Sequence, residues 1–231
     1  MKTLAFITLA LLSGIASAQE GRTYTPGPFD RLEIDGVAKV TLTQGPVDQV
    51  FIRGDAKVQE RVEVERDGSH LLIHTESNWK FWRKESLQVD VQMREPKAIT
   101  LSGASDLTAS GPIKTPRLSI EVSGAADVRL DAIDTNELRF DVSGAGDGRL
   151  AGRTDMLVIT LSGTGKIKAE DLKAKAAKVE ISGAGGARLW VTDYLNVSIS
   201  GIGDVDYWGK PGKISRDTSG LGSIKSLGEK R

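Results

Sequence analysis

This sequence predicts an all-β chain wound as a right-handed parallel β-helix, a solenoid of about 20 residues per coil preceded by a less regular β-rich region. Three features carry that expectation: a doublet recurring at a fixed period, an apolar alternation that runs into it, and a repeat too short for a helical crossover. The doublet is Ser-Gly, ending at Gly103, Gly124, Gly144, Gly163, Gly183, Gly201 and Gly220, with successive spacings of 21, 20, 19, 20, 18 and 19.

Two and four residues before the first six of these glycines stand apolar pairs such as Leu101/Ile99, Val142/Phe140 and Ile199/Val197. The residues between them, Thr100, Glu121, Asp141, Thr160, Glu180 and Ser198, are polar. This is a period of two, a strand with one dry face and one wet face that enters a turn at the doublet. A second apolar position follows, as at Leu107, Val128 and Ile167, so each unit holds two or three short strands joined by corners. Glycine at a corner suggests backbone angles that other residues reach only with strain. A strand plus a crossover helix does not fit in this length, whereas one solenoid coil does. The right-handed sense follows from the strong preference for right-handed crossovers between parallel strands.

Taken in order, Met1-Lys2-Thr3, the apolar run Leu4 to Leu12 and Ala16-Ser17-Ala18 have the three parts of a cleavable signal peptide, residues 1–18. The chain is therefore expected to be exported to the periplasm, the outer surface or the medium. The apolar run is short for a bilayer span and no second one follows, so no transmembrane segment is expected in the mature chain. With no cysteine there is neither a disulfide nor a site for a lipoprotein anchor. Without the signal, 30 Lys+Arg face 31 Asp+Glu, which offers no electrostatic case for nucleic acid.

Residues 19–28, with two prolines and two glycines, read as a flexible leader. Residues 29–97 form the β-rich N-terminal part. Here Leu32, Ile34, Val37, Val40 and Leu42 around Gly36 suggest a first, degenerate coil, and Asp67-Gly68 suggests a hairpin turn. The regular repeats occupy 98–228. Residues 168–178 are rich in Ala, Lys and Glu and locally favour helix, but the spacing across that unit is an ordinary 20, so a coil is expected there too. In the last unit Arg216 and Thr218 replace apolar residues, as suits a terminal coil facing water.

Two stretches are candidate sites. Trp79, Phe81 and Trp82, among basic neighbours, suit an exposed ligand-contact platform; a cover for the open end of the solenoid is the alternative. Asp106, Asp127 and Asp147, with Asp204 further along, stand three residues after a repeat glycine and would stack into an acidic column. Such a column suggests a cation site or the centre of a polysaccharide-cleaving enzyme; the plainer account is turn residues whose carboxylates bond nearby amides. Lys166 and Gly186 interrupt it, which favours the plainer account. The repeat serines lack a histidine partner, since the two histidines, His70 and His74, lie outside the repeats. Four residues apart on a strand, these are roughly 13 Å from each other and do not share a metal. No cofactor-binding motif is present, so no cofactor and no catalytic or metal-ligating residue is assigned.

Ser-Gly-Ala-Gly-Asp at residues 143–147, the opening Phe29-Asp30 to Ile34-Asp35-Gly36-Val37 and the following Thr43-Gln44-Gly45 resemble the auto-transporter adhesin "head GIN domain" family of exported bacterial proteins. The resemblance covers nearly all the mature chain and implies a right-handed parallel β-helix. The expectation is a non-enzymatic envelope or surface protein, an adhesin-like module whose solenoid face contacts glycan or a cell-surface protein. A carbohydrate-active β-helix enzyme, lyase or hydrolase, and a purely structural periplasmic module are the alternatives. Oligomeric state is not legible.

Overall fold

The computed structural model describes residues 21–75 and 87–230. It is nearly all β, 75% strand and 2% helix, with a β-solenoid of about 6 turns of roughly 20 residues each. In chain order the elements are β1 (Gly21–Tyr24), β2 (Arg31–Asp35), β3 (Val37–Gln44), β4 (Gln49–Arg53), the single-turn α1 (Ala56–Gln59), β5 (Val62–Asp67), β6 (His70–Thr75), β7 (Leu87–Met93) and β8 (Ala98–Leu101). There follow β9 (Ala104–Val122), β10 (Ala125–Val142), β11 (Ala145–Leu161), β12 (Thr164–Ile181), β13 (Ala184–Ile199), β14 (Ile202–Trp208), β15 (Lys213–Thr218) and β16 (Ile224–Ser226).

Each regular coil is one long bent strand, not two or three separate ones. The parallel ladder between neighbouring coils survives the bends and only slips register there, as between Leu130 and Ile133, and it breaks at the Ser-Gly corner. In β10 the inward residues are Ala126, Val128 and Leu130 on one side, Ile133 and Thr135 on a short second side, and Leu138, Phe140 and Val142 on the third. Stacking the equivalents builds a single hydrophobic cluster from Phe29 to Tyr207, which crosses the expected 97/98 division without a gap. The short side carries a buried threonine column, Thr115, Thr135 and Thr154, whose hydroxyls bond one another or a backbone carbonyl. Residues 168–178 lie within β12 despite their helical composition, because burying Ala169, Leu172, Ala174 and Ala177 in the shared core outweighs local propensity.

The corner glycines differ from expectation in their reason. Of the column Gly36, Gly103, Gly124, Gly144, Gly163, Gly183, Gly201 and Gly220, only Gly36 has positive φ (127°). The others are needed for close approach: a Cβ on each would collide with the carbonyl oxygen of the glycine one coil before it. The corner is also where coils are stitched together. Ser143 and Gly144 both donate their N–H to the Val122 carbonyl, at 2.9 and 3.3 Å, and Ala145 donates to Gly124 at 2.9 Å, a pattern repeated along the column.

The stacking order departs from chain order at the N-terminal end. β6 and β7 pair in parallel with β2 and β3, which pair in turn with β8 and β9, so residues 70–75 and 87–93 stack outside residues 31–44. Antiparallel β5 and β4 close that end, and the β5–β6 hairpin turns at Gly68-Ser69, where φ of 59° at Gly68 calls for glycine. Where a flexible leader is expected, residues 21–24 form β1 on the edge of β4, and the Tyr24 hydroxyl donates to Gln59 at 3.2 Å. The far end is a water-facing coil, β15 and β16. There Arg216, exposed like the rest of β15, donates to the Tyr207 hydroxyl at 2.8 Å and lies 5.9 Å from its ring centre.

Candidate functional site

Trp79, Phe81 and Trp82 lie outside the described residues.

Asp106, Asp127 and Asp147 stand outward in β9, β10 and β11, inside strands and not at a corner; Asp127 and Asp147 are directly opposed across the ladder. They border an open depression of about 540 Å³ floored by small residues such as Gly146, Gly165 and Gly185. Between β11 and β12 the ladder skips this position, and the Asp147 carboxylate accepts the Lys166 N–H at 2.7 Å in place of a backbone carbonyl. Asp204 does the same one strand from the end, accepting the Ser223 N–H at 2.9 Å and its hydroxyl at 2.7 Å; the hydroxyl first and the amide second hold its carboxyl below the usual range. Among the described residues no group of three or more His, Cys, Asp or Glu is placed to hold a metal ion. The histidines meet carboxylates of the next coil, His70 with Glu33 at 3.2 Å and His74 with Asp35 at 2.8 Å.

A larger recess lies elsewhere, a groove of about 980 Å³ on the third side of the coils. Its floor is one ladder column. Arg31 pairs with Ala98, Ala98 with Ser119 and Ser119 with Arg139, so two small residues lie between two arginines. At strand spacing the arginines are about 14 Å apart along the solenoid axis. Thr100 and Asn136 add hydrogen-bonding groups, and Pro116 and Met156 add apolar surface. Lys97 donates to Asp30 at 2.6 Å; the ammonium lowers the Asp30 carboxyl below its ordinary value, and the carboxylate raises Lys97. Arg117 sits 3.5 Å from Glu137 and Arg139 3.8 Å from Asp141, while Arg31 forms no ion pair with a described residue.

Sequence reasoning passed over this groove, though a signal existed. Counted five residues before each corner glycine, with Gly36 included, the column reads Arg31, Ala98, Ser119, Arg139, Val158, Lys178, Asn196 and Ser215.

Stacked parallel coils of roughly 20 residues define a β-solenoid. The chain belongs to the family described as "Putative auto-transporter adhesin, head GIN domain", which matches residues 28–211. Among solved structures it is similar to a "putative adhesin" from Bacteroides fragilis, with TM-score 0.86 and 22% identity, covering 90% of this chain and 96% of that one. It is also similar to a "putative adhesin" from Parabacteroides merdae (TM-score 0.67, 19% identity, 90% and 95% covered). A third similar structure is a "putative lipid binding protein" from Parabacteroides distasonis (TM-score 0.66, 20% identity, 90% and 96% covered). At these identities the likeness concerns the fold. Among curated proteins no match was found. Among the described residues no helix is long and apolar enough to cross a membrane.

Proposed function

We propose that this chain is an exported, non-enzymatic module of the cell envelope or cell surface that binds a glycan or a surface protein along the outside of its solenoid. The observation that carries this reading is the form of the groove. It is contributed by β2, β8, β9, β10 and β11 in succession, so it runs across coils and suits an extended partner. Its two carboxylates, Glu33 and Glu137, face His70 and Arg117 and do not converge on each other. A turnover site gathers its acid and base around one reacting bond, usually within an enclosed pocket. The acidic column lacks that form as well, since its depression is open and Asp147 is committed to a backbone amide. The signal-like residues 1–18 support export. Trp79, Phe81 and Trp82, aromatic residues among basic neighbours in the sequence, are assigned here as a second contact element.

A glycan array and a cell-surface binding assay on the purified chain test the proposal. Binding is expected without cleavage of acidic polysaccharides, and Trp79→Ala and Trp82→Ala should weaken it with little loss of melting temperature, since aromatic anchors carry much of a contact's energy. Cleavage abolished by Asp127→Asn would instead establish the enzyme reading.

A further inference from the structure

We infer that the ligand of the groove is a carboxylated polysaccharide, a polyuronate chain lying along the solenoid axis with its acid groups on Arg31 and Arg139; this rests on the binding role proposed above. Charge points to an anion. The groove lining holds Arg31, Lys97, Arg117 and Arg139 against Glu33 and Glu137, in a chain whose formal net charge is +0. The cations are not equivalent. Lys97 and Arg117 have carboxylates beside them, whereas Arg31 forms no ion pair with a described residue and meets Asp30 only through its longer-range field, and Arg139 has only a loose partner at 3.8 Å. A guanidinium offers a planar fork that matches a carboxylate with two hydrogen bonds. Two such forks at the ends of a floor made by Ala98 and Ser119 leave room for the ligand chain between them.

The rest of the lining selects a sugar polymer over an acidic peptide. The strands beneath the groove spend their backbone groups on the parallel ladder, leaving no edge to which a peptide backbone could add. A peptide lying there would keep its amides unpaired, at a cost for each one desolvated. Sugar hydroxyls need side-chain partners instead, and Thr100, Ser119, Asn136, Glu33 and Glu137 supply both donors and acceptors. The two glutamates also disfavour a densely sulfated chain, which would bring several charges against them, while a polymer with one carboxylate per sugar can offer them hydroxyls.

Calorimetric titration of the purified chain with polygalacturonate oligomers, their methyl esters and poly-glutamate tests the inference. Polygalacturonate should bind, weakening as salt rises, and the esters should not. Arg31→Ala and Arg139→Ala should each cost about tenfold in affinity, the scale of one charge-assisted hydrogen bond. Ser119→Trp, which keeps every charge but fills the floor, should abolish binding while the melting temperature holds. Equal binding of the esters, or binding untouched by Ser119→Trp, overturns the inference. Poly-glutamate binding with the same response to these variants overturns it in favour of an acidic protein segment. If other glycans or cell surfaces bind and the groove variants change nothing, this inference alone fails; if no glycan and no cell surface binds, the underlying binding role fails with it.

Discussion

The Ser-Gly corner and the groove sheet that leads into it are made by the same coils, yet they repeat in opposite ways. At the corner the residue is glycine in coil after coil, because each backbone lies against the carbonyl of the coil before and no Cβ fits. On the groove sheet the outward column changes at almost every step, from Arg31 through Ala98 and Ser119 to Arg139, because those side chains reach water and the neighbouring coil places little demand on them. Inward columns fall between these cases. Phe140, fully buried, is larger than its column neighbours Ile120 and Ile159, and the excess is absorbed one column away, where Gly148 stands among Val128 and Ile167. A Cβ on Gly148 would come within 2.9 Å of the Phe140 ring. Stability is thus written into the repeating columns, and specificity has room in the varying one.

Substitutions can break this contrast, and the largest effects belong to the repeating columns. Phe140→Ala should cost about 4 kcal/mol, since the ring leaves a cavity that a stacked coil collapses poorly. Gly144→Val should cost about 3 kcal/mol through its clash with the Gly124 carbonyl, and denaturant unfolding measures both. A Gly144→Val protein as stable as the parent would mean the corner can move, and the stitching argument would fail.

A smaller effect with a distinct pH signature belongs to Asp204. Its carboxyl is held below the usual range in the folded chain, so it contributes stability above the unfolded carboxylate value and loses it as pH falls through the folded value. Melting temperatures of Asp204→Ala and the parent should therefore differ near neutrality and converge in acid. A gap that persists in acid would assign the effect to packing and not to the Ser223 contact.

The smallest expected effect lies in the groove. Arg31→Ala and Arg139→Ala should each change stability by less than about 0.5 kcal/mol, as exposed residues without tight partners do. Loss of cooperative unfolding in either variant would show that the varying column also holds the coils together, erasing the distinction between the two regions.

How much was legible in the sequence follows the same division. Period, corner and apolar alternation could be read because each is local: a coil about 20 residues long cannot bury its face alone, so every repeat carries the same marks. Even the overruling of helical composition at 168–178 followed from spacing. The reason for the corner glycines did not, because a positive φ and a close approach leave the same residue in the sequence, and only the carbonyl of the next coil tells them apart. The acidic column was visible, but its commitment was not: the gap in the ladder between the Ala145–Thr164 and Gly148–Ile167 pairs, which Asp147 fills by accepting from Lys166, exists only once the coils are stacked.

By itself the sequence determined the class of fold, the repeating unit and the boundaries of the coils from Ile99 onward, since those follow from which residues avoid water and how often. The tertiary structure alone decided that residues 70–75 and 87–93 stack outside residues 31–44, that residues 21–24 close an edge, and that Arg31 and Arg139 share one ladder column with Ala98 and Ser119 between them. The physical reason is that a parallel ladder joins residues far apart in the chain, from 17 to more than 60 positions, and a slip of one residue in a coil moves every outward side chain to a different neighbour.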